Sequence, residues 1–133
     1  MTGEWLAVAA GGALGALLRA SLLRWVVGWK VSGRSPELPF APAFATLLAN
    51  LTGCVLLGLW ALGAIPWHVH FAPTWADFFV TTGFCGGLTT FSTLCADLVW
   101  LRRDHGGPIM LVYLTITLVL GAAALNALSI ARL

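Results

Sequence analysis

Gly83-Phe84-Cys85-Gly86-Gly87-Leu88-Thr89-Thr90-Phe91-Ser92-Thr93 interrupts an apolar run that enters at Trp75 and leaves at Leu101. Three glycines and four hydroxyl residues fall within these eleven positions. Glycine loosens the backbone, and in hydrocarbon every freed N–H or C=O needs a partner inside the protein or a polar cavity. Each flanking half is about 11 residues, roughly 16 Å at the helical rise, too short to cross a bilayer alone. The stretch therefore predicts a broken helix whose halves meet near the midplane. Helix ends at such a break carry partial charges that point at an ion.

The rest of the chain sets the solvent. It has 133 residues, of which 59% are hydrophobic and 9% charged, with mean hydropathy +0.92. A soluble domain carries about 25% charge. Four apolar runs can be marked, Trp5–Gly28, Ala41–Ile65, Trp75–Leu101 and Ile109–Ile130. Each is long enough for a core of about 30 Å. The expectation is an all-α integral membrane protein: one transmembrane domain over residues 1–133, with helices at 5–28, 41–65, 75–101 (broken near 86–89) and 109–130. The first run lacks a basic leader and is too long for a removable signal peptide.

The net charge of +2 carries no implication of nucleic-acid binding. Arg24, Lys30 and Arg34 lie at the first connection, Arg102 and Arg103 at the third, and Arg132 at the C-terminal end. Connections one and three share a side, so the positive-inside rule places both termini outside. Cys54, Cys85 and Cys95 all fall within spans, which argues for packing residues rather than a disulfide framework.

Polar residues form narrow stripes. Gly11 and Gly15 make a small-xxx-small pair, which lets helices approach closely in lipid. Arg19 continues that stripe, either snorkelling to an interface or tying carbonyls and attracting an anion. Thr46, Asn50 and Gly53 share one face of the second span. Asn50 buried in lipid needs a partner, as interhelical glue or as a pore-lining donor. Thr89, Thr93 and Asp97 share a face in the third span, with Asp97 either intramembrane or near the exit, where it would pair with Arg102 or cap the helix. Tyr113, Thr117 and Gly121 repeat at four-residue intervals in the fourth span, a pattern equally suited to interhelical hydrogen bonds. Asp77 favours the start of the third span through the helix dipole. His68 and His70 alternate between Trp67 and Trp75, weak grounds for a metal pair and better suited to an interfacial belt.

Hydroxyls, an amide, a phenol and glycine backbone with almost no intramembrane acid suit a small anion. Such donors bind without the grip of a full charge, and ring edges such as that of Phe91 are positively polarised. Freed carbonyls favour a cation such as Na⁺. A proton-coupled multidrug exporter of four spans needs an acid deep in span one, where this chain has Arg19. A non-transporting membrane assembly subunit has no positive support, and no catalytic constellation is present, so an enzyme is not expected.

These motifs resemble the Fluc (CrcB) fluoride channels along essentially the whole chain. The resemblance rests on Gly11-Gly12-x-x-Gly15-x-x-x-Arg19, Leu48-x-Asn50-x-x-Gly53 and the run from Gly83 to Thr93. It implies a passive, fluoride-selective channel in the plasma (inner) membrane of a prokaryote, conferring fluoride resistance by lowering cytoplasmic fluoride. It further implies an antiparallel, dual-topology dimer with two pores and a central structural Na⁺ on the Gly86 and Thr89 carbonyls. No internal repeat is visible, so inverted symmetry needs a second chain. The implied pore residues are Asn50, Thr90, Phe91, Ser92, Thr93, Leu94, Asp97, Tyr113 and Thr117. Arg19, Gly11 and Gly15 are structural or electrostatic. One departure stands out: Leu94 occupies a position where the family usually has phenylalanine. With the uneven charge count, it raises a sister subunit as an alternative to a homodimer.

Overall fold

The computed structural model describes residues 2–31, 40–61 and 73–130, all of them helical or in short links between helices. Helix α1 spans Thr2–Val31 and α2 spans Ala41–Ala61. Helix α3 covers residues 74–88, starting after an extended Pro73 and running through a π-helical segment, Phe78–Cys85, to Gly86–Leu88. Helix α4 is Phe91–His105 and α5 is Gly107–Ile130. Four stretches are long and apolar enough to cross a membrane: Gly3–Val26, Ala41–Ala61, Thr74–His105 and Gly107–Asn126. The expected all-helical, four-span architecture is present. Arg34, Arg132 and the His68–His70 pair lie outside the described residues.

Helix α2 is central and touches all the others. Its buried face is built from Ala41, Ala43, Ala45 and Ala49, small enough to bring neighbouring helices near. Helix α1 packs chiefly on α3, and α5 packs on α2 and α4. Much of α5 faces outward, with Leu111, Val112, Leu118 and Val119 all exposed. In lipid such a surface is at home, since hydrocarbon replaces the missing neighbours.

The third span is broken, but by its threonines. Thr89 (φ −80°, ψ 156°) and Thr90 (φ −152°, ψ 118°) are extended, whereas Gly86 and Gly87 remain helical. Gly83 and Gly87 serve contact instead. A Cβ on Gly11 would stand 2.9 Å from the Phe84 nitrogen, and one on Gly15 would stand 2.7 Å from the Leu88 nitrogen. A Cβ on Gly83 would lie 2.8 Å from the Val8 carbonyl oxygen, and one on Gly87 would lie 2.9 Å from the Gly12 Cα. Helices α1 and α3 thus meet backbone to backbone, with no room for a methyl group on either side. The π segment has no signature in the sequence; within it, the Thr81 hydroxyl donates to the Asp77 carbonyl at 2.6 Å.

Helix α4 runs past the expected end at Leu101 to His105. Arg102, Arg103 and His105 occupy its last turn, where positive charge complements the helix dipole. Only Gly106, at φ 91°, separates α4 from α5; this left-handed conformation favours glycine. Asp77 lies in the first turn of α3, as expected, and its carboxylate accepts from Trp60 Nε1 at 2.9 Å.

Substituting Gly11 or Gly87 by valine should cost more than the about 1–3 kcal/mol of ordinary overpacking, because backbone cannot step aside. Thermal unfolding in detergent should fall sharply for both, while Gly3→Ala and Gly28→Ala, with open space around them in α1, should equal or slightly exceed the parent.

Candidate functional site

The break takes the Thr89 carbonyl and both backbone groups of Thr90 out of the helical ladder, and these three find partners on other spans. Thr89 N still donates to the Cys85 carbonyl at 3.0 Å, reinforced by its own hydroxyl at 2.9 Å. Thr90 N donates to Asn50 Oδ1 at 2.8 Å, and Asn50 Nδ2 donates back to the Thr90 carbonyl at 3.3 Å. The amide of α2 thereby imitates a neighbouring strand. Arg19 Nη1 donates to the Thr89 carbonyl at 3.3 Å. Of the two readings of Arg19, the tie to a carbonyl is the one formed.

Beyond the break, Thr90 is the N-cap of α4. Its Oγ1 accepts from Thr93 N at 3.1 Å, lies 3.2 Å from Ser92 Oγ and donates to Thr93 Oγ1 at 3.0 Å. Three hydroxyls therefore cluster where the helix dipole is positive.

Two cavities flank this point. The larger, about 630 Å³, is an open groove bordered by α2, α3, α4 and α5; Asn50, Thr89, Thr90, Phe91, Leu94 and Thr117 line it, and Gly86 sits at its edge. The smaller, about 250 Å³, is lined by Arg19, Thr46, Thr90, Thr93 and Asp97. Thr90 borders both.

The groove thus brings together five of the nine residues named for the pore: Asn50, Thr90, Phe91, Leu94 and Thr117. Phe91 is 78% exposed, its ring left uncovered by its own chain, whereas Leu94 is 5% exposed and packed inward. Thr93 and Asp97 belong to the smaller cavity. Thr89 does not share their face, because the extended link turns it toward the groove. Asp97 is buried; its carboxylate lies 3.5 Å from the Tyr113 hydroxyl and shares the smaller cavity with Thr46, rather than pairing with Arg102. Tyr113 also donates to the Ala43 carbonyl at 2.9 Å, and its own carbonyl accepts from Thr117 at 2.9 Å. Ser92 is exposed beside Thr90. Thr46 was absent from the expected pore set, although it lies on the Asn50 stripe and so carried a signal. The groove residues Gly53 and Gly121 likewise lay on the stripes of Asn50 and Thr117, whereas Cys54 and Cys85 were read only as packing residues.

An all-helical chain with four apolar spans, one of them broken around paired polar groups, is built as a multi-pass membrane protein. The family model described as "CrcB-like protein, Camphor Resistance (CrcB)" matches residues 6–128, and this chain belongs to that family. Similar relatives include the fluoride-specific ion channel FluC of Bordetella petrii, 41% identical over 129 residues, covering 96% of this chain and 89% of the relative. The FluC of Serratia proteamaculans is 39% identical over 104 residues, covering 78% and 73% respectively. That of Pseudomonas paraeruginosa is 44% identical over 99 residues, covering 74% and 69%.

Replacing Asn50 by alanine strands the Thr90 N–H and C=O in apolar surroundings, each at about 1–3 kcal/mol. Unfolding in detergent should shift accordingly. Thr52→Ala, whose hydroxyl only returns to the Leu48 carbonyl of its own helix, should change little.

Proposed function

We propose that this chain is a passive fluoride channel that lets fluoride leave the cell. The reading rests on family membership together with one feature, the groove in which Asn50, the Thr90 hydroxyl and the exposed Phe91 ring converge on the helix break. Among the described residues no acid lines that groove; Asp97 belongs to the smaller cavity. An anion there meets weak donors: the second N–H of Asn50, the hydroxyls of Thr90 and Thr117, and the edge of Phe91. Conduction requires binding strong enough to enter and weak enough to leave, which neutral donors supply. Nothing in this chemistry calls for an enzyme.

The groove is open along one side and Phe91 has no cover, so a second chain completes it. An inverted copy would give two equivalent grooves and hence two pores. Structural Na⁺ fits the same arrangement. Gly86 and Thr89 border the groove, and carbonyl oxygens are hard ligands suited to Na⁺. A Cβ on Gly86 would meet nothing within 4 Å, so that position has space around it. One chain offers two such carbonyls and a second copy two more; Na⁺ would there supply the charge that holds opposed helix breaks together. Arg19 already donates to the Thr89 oxygen, which leaves one lone pair for the ion. Leu94, buried within its own chain, gives a partner no ring to meet, and the bias of Lys and Arg to one side favours a single orientation. Both features favour a sister subunit as the second reading.

Liposomes loaded with fluoride and carrying the purified protein should release it while retaining chloride. Asn50→Asp, which places a carboxylate in the groove, should abolish release. Absence of fluoride release from the parent defeats the channel reading. The chain expressed alone should purify as a dimer in Na⁺ and dissociate when Na⁺ is replaced; a monomer in Na⁺ points to the sister subunit.

A further inference from the structure

Two thiols in the groove have no part in the reading above. Cys54 on α2 and Cys85 at the end of the π segment both line it, and neither is in a disulfide. They come from helices that touch at this level: a Cβ on Gly53, the neighbour of Cys54, would stand 3.8 Å from the Cys85 carbonyl oxygen. Across the groove, a Cβ on Gly121 would lie 3.6 Å from Cys54 Sγ, so α5 leaves the sulfur facing a glycine rather than a side chain. Cys95, by contrast, is exposed on α4 and borders a different surface depression.

The donor set selects the ligand. Among the described residues no group of three or more His, Cys, Asp or Glu is placed to hold a metal. Zn²⁺, which takes four ligands in structural sites and three in catalytic ones, is unsuited. Soft thiolates favour soft ions, and two sulfurs satisfy the linear, two-coordinate d¹⁰ cations Cu⁺, Ag⁺ and Hg²⁺. We propose that Cys54 and Cys85 form a two-thiolate site for such a thiophilic cation, and that its occupation closes the groove. With Hg²⁺ two S–H bonds break and two S–Hg bonds form. Two protons pass to solvent, no redox change occurs, and the complex is neutral. With Cu⁺ or Ag⁺ the same exchange leaves one negative charge. The Cys85 carbonyl accepts both the N–H and the hydroxyl of Thr89, so the ion sits one turn from the break. The closing step rests on the channel reading; the binding step does not.

The test uses Cys95→Ser protein, in which the groove thiols are the only ones, with Hg²⁺ as probe. Titration followed by the ultraviolet sulfur-to-mercury band should end at one Hg²⁺ per chain, with both thiols consumed. Removing Cys54 or Cys85 as well should let a competing monothiol strip the mercury at roughly 100-fold lower concentration, reflecting loss of the chelate. An endpoint of two Hg²⁺ per chain, no binding, or equal retention by the single-thiol variants overturns the site. The endpoint decides even where serine at position 54 or 85 prevents folding. In liposomes, one equivalent of Hg²⁺ should stop fluoride release from the Cys95→Ser protein and a dithiol should restore it. Release that continues with the site filled overturns the closing step. A protein that releases no fluoride even without mercury defeats the channel reading and leaves the titration to decide the site.

Discussion

Three backbone groups, the Thr89 carbonyl and the N–H and carbonyl of Thr90, leave the helical ladder within a span that is otherwise apolar, and the remaining helices are disposed so that these groups are met. A bilayer offers them no water. Asn50 answers Thr90 with both halves of its amide, and Arg19 answers the Thr89 carbonyl. Each comes from a different helix, so the break is sustained only when α1 and α2 both stand correctly against the third span. The site is therefore a product of tertiary packing, since an isolated third span has neither partner.

The packing surfaces and the polar partners lie on the same helical stripes. On α1, Gly11 and Gly15 press against α3, and one turn further the same face carries Arg19 to Thr89. The bare backbone at Gly11 and Gly15 brings the two helices near enough for the guanidinium to reach the carbonyl. On α2, Thr46 faces Asp97, Asn50 holds Thr90, and Gly53 lies under the Thr89 side chain. A larger residue at Gly53 would push Thr89 aside and with it the link Asn50 holds. Small residues and hydrogen-bonding residues thus act as one unit, the first setting the separation at which the second can bond.

This explains what the sequence disclosed and what it withheld. The spans were legible because hydropathy is local, and the interruption was legible because hydroxyl and glycine residues crowd one window. Periodicity put Asn50 with Thr46 and Gly53, and Arg19 with Gly11 and Gly15, and both groupings hold. The cause of the break was misread: glycine permits a break but does not require one, and here Gly83 and Gly87 stay helical because α1 needs their bare surface. The partner of Asp97 was hidden because Tyr113 reaches it from another helix, whereas Arg102 is near only in sequence. Helical spacing also placed Thr89 with Thr93 and Asp97, a grouping that fails wherever the chain is extended between them. The groove itself was invisible, since the Phe91 ring is uncovered while Leu94 three residues on is buried, and no rule of composition separates the two.

Charge is distributed about the break with the same economy. Arg19 and Asp97 border the smaller cavity, while the groove has only neutral donors, and Thr90 stands between them. A full charge 4 Å from an anion is worth about 4 kcal/mol at an effective dielectric constant of 20. A single neutral hydrogen bond contributes about 1 kcal/mol net. The difference is roughly a hundredfold in binding, at 1.4 kcal/mol per decade. A cation set directly in the groove would hold an anion in place, and an acid there would bar it. Keeping Arg19 on the far side, tied to the Thr89 carbonyl through Nη1, lets its positive potential reach the break without lining the groove. For the proposed fluoride path this arrangement reconciles attraction with release: the charged groups sustain the fold of the break, and the hydroxyls, the amide and the ring edge receive the ion.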